Sequence, residues 1–125
     1  MLYSTQIETR FRDPHFAGNV TGRALTARAA TPGSSAVLQI NLVVENELIQ
    51  RAGFQAFGCP PCIAAGDWAC EWLTGRALSE TSQLTAAMIE SALDLEPAKR
   101  HVALLVEDVL TQIATGNSEQ TKLSY

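Results

Sequence analysis

Positive charge is scarce in this sequence. Of its 125 residues, 9 are Lys or Arg and 13 are Asp or Glu, which gives a formal net charge of −4 and a pI near 5.0. The basic residues fall in small scattered groups, at 10–12, 23–28 and 99–100. Proteins that bind nucleic acid neutralise phosphates with clustered Lys and Arg. We therefore expect no nucleic-acid partner.

Long apolar runs are missing as well. No stretch approaches the roughly 20 residues that cross a bilayer as a helix. The start, MLYSTQIETRFRDP, lacks a basic segment followed by an apolar core, so it does not predict a secretory signal. We expect no membrane association and a cytoplasmic location. The content of 46% hydrophobic and 18% charged residues is typical of a globular protein, and the length predicts one domain over 1–125.

Cysteine is absent outside one short stretch. The three cysteines, Cys59, Cys62 and Cys70, all lie within 57-FGCPPCIAAGDWACEW-72. In a reducing compartment, clustered cysteines are more often metal ligands or redox groups than structural disulfides. An odd number also disfavours a pure disulfide framework. The candidate chemistry of the chain therefore lies in this stretch.

Hydrophobic periodicity predicts an α+β domain. Alternating apolar residues indicate strands, and apolar residues spaced by three and four indicate helices. The short turns between the strands indicate an antiparallel meander, and the tail to Tyr125 is expected to fray. The predicted fold is a three-stranded antiparallel sheet with helices packed on one side. The predicted elements are a helix over 3–12, strands over 23–30, 36–46 and 48–58, and helices over 63–74, 85–93 and 97–115.

Cys59 and Cys62 fall where the third strand ends and a helix begins. The positive end of the helix dipole lowers the pKa of a thiol there and favours the thiolate, which binds metals and attacks disulfides. Cys70 lies eight residues further on, about 12 Å along a helix, and is expected to pack as a small hydrophobe. The Cys-x-x-Cys pattern alone leaves metal binding, redox exchange and packing open, because a zinc or cluster site commonly has four ligands.

The two histidines are the other candidate ligands. His15 falls in a polar loop and is expected to be solvated. His101 falls early in the last helix beside its apolar stripe, where a lone histidine is usually structural.

The order of the elements and several motifs together resemble the U-type iron–sulfur cluster assembly scaffold family, which includes IscU and the N-terminal domain of NifU. The likeness is spread in register along nearly the whole chain. It is carried by 3-YS-4, Phe11, Asp13-Pro14, Gly18, 38-LQI-40, 52-AGFQAFGC-59, 63-IAA-65, 71-EWLTG-75, 95-LEPAKRH-101 and 107-ED-108.

The resemblance implies an IscU-like fold and a role as a scaffold or carrier rather than as an enzyme. Members of the family hold a nascent [2Fe–2S] cluster, iron or zinc through three cysteines and an aspartate or histidine. They receive sulfur from a cysteine desulfurase and pass the cluster on to acceptor apo-proteins. Tyr3 matches a family position that contacts the sulfur donor. The family segment that a chaperone recognises corresponds to 95–99, where Glu96 and Ala98 depart from the pattern and argue against chaperone docking.

The ligand positions carry over only in part. Cys59 matches the middle family cysteine, His101 the family histidine, and Lys99 the lysine before it. The first and third cysteine positions are Pro32 and Val102, and the aspartate position is Ser34, none of which is a good iron ligand.

Cys62 has no counterpart in the family pattern and adds a thiol at the same turn. Cys59, Cys62 and His101 together predict a remodelled metal site with one open position, suited to iron, a [2Fe–2S] cluster or zinc. Two other functions stay open. One is a dithiol redox protein that uses Cys59 and Cys62 on the same fold, and the other is a cluster-less regulatory partner of a cysteine desulfurase.

Overall fold

A computed structural model shows the fold and describes residues 3–18, 20–31, 36–116 and 119–123, the last range by its backbone. Pro32 and Ser34, at which the resemblance implies two replaced ligands, lie outside the described residues. The elements, in order, are α1 (Thr5–Arg12), β1 (Gly22–Ala30), β2 (Val37–Glu45), β3 (Leu48–Phe57), α2 (Pro60–Leu73), a 3₁₀ helix (Leu78–Gln83), α3 (Ala86–Leu93), a 3₁₀ turn (Pro97–Lys99), α4 (Arg100–Ala114) and β4 (Glu119–Leu123).

The three predicted strands form the predicted antiparallel meander. Ala27 of β1 lies opposite Ile40 of β2, and Ile40 lies opposite Phe54 of β3. These three side chains are buried on the same face of the sheet, because paired residues in an antiparallel ladder point to the same side. The α+β class and the meander are therefore confirmed.

The sheet has a fourth strand that the sequence did not indicate. The strand order is β3-β2-β1-β4, and β4 pairs antiparallel with β1, with Gly22 opposite Leu123. The expectation of a frayed tail is therefore wrong for Glu119–Leu123. The free edge of β1 offers unpaired N–H and C=O groups, which attract a further strand. The sequence of β4, EQTKL, has no apolar alternation that would have indicated it.

The helices α2 and α4 pack against one face of the sheet, as predicted. The apolar stripe of α4, which includes Val102, Val106 and Val109, is buried against that face. On the other face, polar side chains bond to one another, and the amide oxygen of Asn41 accepts from Thr26 Oγ1 (2.9 Å) and Gln39 Nε2 (3.1 Å). Among the described residues, no helix is long and apolar enough to span a bilayer.

Two helix starts differ from the predicted ones by three residues each, and the other bounds of the predicted elements differ by at most two residues. The second helix begins at Pro60 rather than at 63, because Pro60 and Pro61 occupy its first turn, where a missing N–H costs no hydrogen bond. Pro97 opens a single 3₁₀ turn, Pro97–Lys99, and the last α-helix begins only at Arg100.

A glycine sets how closely α2 approaches the sheet. Gly66 faces the ring of Phe54 on β3, and a Cβ at position 66 would lie 2.6 Å from Cδ2 and 2.9 Å from Cγ of that ring. Phe54 is itself buried, so the ring has little room to move away. This contact fixes the height of α2 above β3.

A buried ion pair fixes α1 on α2. Asp67 of α2 is a buried carboxylate that accepts from Arg10 Nη1 (2.7 Å) and from the backbone N–H of Phe16 (2.9 Å). Arg10 also contacts Glu71, at 3.2 Å from Nη2 to Oε2. The pair satisfies the carboxylate in a place where an unpaired charge would be costly.

Replacement of Gly66 by alanine tests the helix–sheet contact. In an exposed helix Gly→Ala stabilises by about 1 kcal/mol, whereas here the overlap with Phe54 predicts a loss of about 1–3 kcal/mol in the free energy of unfolding. Denaturant titration of Gly66→Ala measures the sign. The cost should shrink in a Phe54→Leu background, since the smaller side chain makes room. An equal cost in both backgrounds would show that the ring is not the obstacle.

Replacement of Arg10 by alanine tests the buried pair. It leaves the Asp67 side chain, which is 3% exposed, without its cation, so we expect a loss of about 3 kcal/mol in the free energy of unfolding. The matched control is Arg12→Ala, because Arg12 is 78% exposed and pairs with Glu8 at 4.0 Å. That variant should lose less than about 0.5 kcal/mol. Similar losses in both variants would contradict the assigned role of Arg10.

Candidate functional site

The site begins at the two-residue turn between β3 and α2. Gly58 adopts φ +143°, and a Cβ there would lie 3.4 Å from Ala36 and 3.5 Å from the Cβ of Cys62. A side chain at this position would be strained by its conformation and crowded by its neighbours. Glycine therefore lets the chain turn from the sheet edge directly into α2.

Cys59 is the N-cap residue of α2. Its backbone is extended, with φ −76° and ψ 164°, and its carbonyl oxygen accepts the N–H of Cys62 at 2.9 Å. Cys59 is partly exposed, whereas the other two cysteines are buried. Among the three cysteines it is therefore the one that a metal ion or a partner reaches directly.

Cys62 lies inside the core, one turn further along α2. It is 1% exposed, and burial, followed by the nearby Cys59, raises the pKa of its thiol to about 11. The expectation that the helix dipole makes Cys62 a thiolate is therefore wrong, because desolvation of the charged form outweighs the dipole. Cys62 is a neutral thiol near pH 7.

Cys70 packs as expected. It is fully buried among core residues, and burial, with a smaller contribution from the charge of Asp67, raises the pKa of its thiol. A neutral buried thiol two turns away from Cys62 takes no part in the site.

The two histidines lie in different surroundings. His15 is exposed as predicted, with Nε2 at 3.1 Å from Asp13 Oδ2. His101 is partly buried in the first turn of α4. Its neighbour Val102, at a position where the resemblance implies a cysteine, is buried in the core.

The structure brings Cys59 and Cys62 together but does not gather a complete ligand set. Among the described residues, no three His, Cys, Asp or Glu side chains lie close enough to hold a metal ion. Cys59, Cys62 and His101 are therefore not preassembled as a three-ligand site in this conformation. A closed metal site has four ligands. Here the candidate donors are the partly exposed thiol of Cys59, the protonated thiol of Cys62 and the imidazole of His101, which are too few.

An apolar groove adjoins the cysteine turn. It has a volume of about 490 Å³, and Phe57 at its wall is 70% exposed. Phe57 and Ile63 flank the cysteine pair in sequence, so the groove borders the site. The sequence signal for it was weak, because Phe57 continues the strand pattern without showing that its side chain lies outside the core. The residues that line the groove are Phe11, Pro14, Ala17, Gly18, Phe54, Gln55, Ala56, Phe57 and Ile63.

Two further positions named by the resemblance lie side by side. Tyr3 and Lys99 line one small cavity of about 200 Å³, with Ile7, Leu95 and Glu96. Tyr3 and the segment before α4 thus border the same cavity.

Comparison with known proteins gives the family context of this site. The family model described as the NifU-like N-terminal domain matches residues 2–122. Iron sulfur cluster assembly protein 1 of Trachipleistophora hominis is 31% identical over 111 residues, which cover 86% of this chain and 80% of that protein. The iron–sulfur cluster assembly scaffold protein IscU of Haemophilus influenzae is 28% identical over 88% of this chain and 90% of that protein.

Solved structures share the fold. A Fervidobacterium islandicum protein, described as an iron–sulfur cluster assembly scaffold for the SUF system, superposes with a TM-score of 0.74 at 16% identity, over 87% of this chain and 93% of that one. The N-terminal part of a NifU-like protein from Brucella abortus gives a TM-score of 0.60 at 10% identity, over 90% and 86% of the two chains.

Alkylation of the native protein tests the difference between the cysteines. Because alkylation requires an accessible thiolate, we expect iodoacetamide near pH 8 to modify Cys59 at least about tenfold faster than Cys62, and Cys70 only after unfolding. Peptide mapping by mass spectrometry at successive times measures the three rates. Equal rates for Cys59 and Cys62 in the folded protein would contradict the burial of Cys62.

Proposed function

Because the chain belongs to the NifU-like N-terminal domain family, we propose that it acts in iron–sulfur cluster assembly as a divergent scaffold or carrier. The relatives named above are cluster assembly proteins, and the match extends over most of their length. The observation that carries the proposal is Cys59, a family cysteine that stays partly exposed at the start of α2 and beside an apolar groove. The chain binds and passes on its cargo and is not proposed to be an enzyme.

The proposed cargo is iron, a [2Fe–2S] cluster or zinc, held through Cys59, Cys62 and His101. Cys59 is the entry ligand because its sulfur is reachable. Cys62 joins after a metal ion displaces its proton, since ligand thiols must be deprotonated. His101 must approach the turn from the first turn of α4. The fourth position is left to the cargo, to water or to a partner.

The proposed partners are a cysteine desulfurase as sulfur donor and apo-proteins as acceptors. Tyr3 lies on the surface that also carries Lys99 and Leu95, which supports a contact there. Chaperone docking is not proposed, because Glu96 and Ala98 depart from the family segment.

A cluster-less partner of a cysteine desulfurase is the second candidate. It is favoured by one observation, that no three ligating side chains are gathered among the described residues. In this case the family surface is kept while the ligands are lost.

Anaerobic loading with Zn²⁺, or with Fe²⁺ and sulfide, tests the proposal. We expect about one metal ion per chain in the zinc-loaded protein, and a charge-transfer spectrum in the iron-loaded protein. Cys59→Ala should abolish loading, and His101→Ala should weaken it by about tenfold or more. Elemental analysis after gel filtration measures the metal content.

The matched controls are Cys70→Ala and His15→Ala, which remove the same atom types away from the site and should load as the unmodified chain does. Equal loading of Cys59→Ala and the unmodified chain would overturn the ligand assignment. A chain that loads no metal but binds a desulfurase would support the second candidate instead.

A further inference from the structure

The second thiol of the turn has no counterpart in the family ligand pattern. Cys62 stands three residues after Cys59, and the two differ sharply in surroundings, since Cys59 is partly exposed and Cys62 is 1% exposed. In this arrangement a reagent from solution can react with Cys59. Cys62 is shielded from solvent and can react only with the sulfur of Cys59.

The backbone holds the two cysteines at bridging distance. The N–H of Cys62 donates to the carbonyl oxygen of Cys59 at 2.9 Å, and this bond closes a four-residue turn whose end Cα atoms lie within about 7 Å. A disulfide needs Cα atoms about 4.4–6.8 Å apart. The backbone of the turn therefore meets the Cα spacing that a Cys59–Cys62 disulfide requires.

Cys70 cannot form a disulfide with either of the other two cysteines. Cys70 is fully buried two turns beyond Cys62, and eight residues of helix separate the two by about 12 Å. Only one intramolecular disulfide, between Cys59 and Cys62, is compatible with the folded chain.

From this geometry we propose that the chain exchanges its Cys59–Cys62 dithiol with accessible disulfides of low molecular mass, such as oxidised glutathione. The Cys59 thiolate attacks one sulfur of the substrate, the substrate S–S bond breaks, and the first substrate thiol leaves. Cys62 then gives up its proton and attacks the Cys59 sulfur, which breaks the mixed disulfide and releases the second substrate thiol. The substrate disulfide is reduced to two thiols, which take the two protons, and the pair is oxidised.

The inference does not depend on the proposed cargo. It uses the protein without metal and would hold for either candidate function. If the chain does carry a metal ion, the oxidised pair would lack two of the sulfur ligands, so exchange and loading would exclude each other.

The test is a titration of the reduced, metal-free chain with mixtures of reduced and oxidised glutathione, followed by acid quenching and a count of free thiols in denaturant. The reduced chain has three thiols, and excess oxidised glutathione should leave one, with Cys59 joined to Cys62 in the peptide map. Cys62→Ser should instead accumulate glutathione on Cys59, because the resolving thiol is gone. Cys59→Ser should form neither product.

Cys70→Ala is the matched control and should still lose two thiols. Circular dichroism of each variant shows whether it is folded before the titration. A chain that keeps glutathione on Cys59 without loss of the Cys62 thiol would overturn the proposal, as would one that keeps all three thiols. Metal loading is measured separately, so either failure is distinguishable from a failure of the cluster-assembly role.

Discussion

The close contact of α2 with β3 is the constraint on which the site depends. Gly66 lets the helix rest directly on the ring of Phe54, and only Gly58 and Cys59 connect the strand to the helix. With both elements fixed by core packing, the N-terminal turn of α2 has one position available. Cys59 must then face outward at the cap, and Cys62 must face into the core.

Two electrostatic effects oppose each other at this turn. The helix dipole favours a thiolate, and burial favours a neutral thiol. At Cys62 burial prevails and raises the pKa to about 11. The turn thus has one partly exposed thiol, that of Cys59, and one buried thiol, that of Cys62. In the same region Val102, at a position where the resemblance implies a cysteine, is buried in the core.

Sequence periodicity predicted the meander and the buried stripe of α4, because strand and helix each repeat their apolar residues with a fixed period. It missed β4, whose backbone pairs with the edge of β1 although its sequence shows no apolar alternation. It also missed the burial of Cys62 and the pairing of Asp67 with Arg10, since both follow from which elements meet in space. Cys59 and its place at a helix start were predictable from Gly58 and the two prolines. That His101 would not complete a three-ligand group with the two cysteines in this conformation was not predictable.

The central claim is that Cys59 and Cys62, with His101, form the cargo site of a divergent assembly protein. X-ray absorption spectroscopy of the zinc-loaded chain tests this claim most directly, because zinc–sulfur distances of about 2.3 Å are distinct from zinc–nitrogen distances of about 2.0–2.1 Å. The account predicts two sulfur ligands and one imidazole. A first shell of oxygen and nitrogen alone would contradict it.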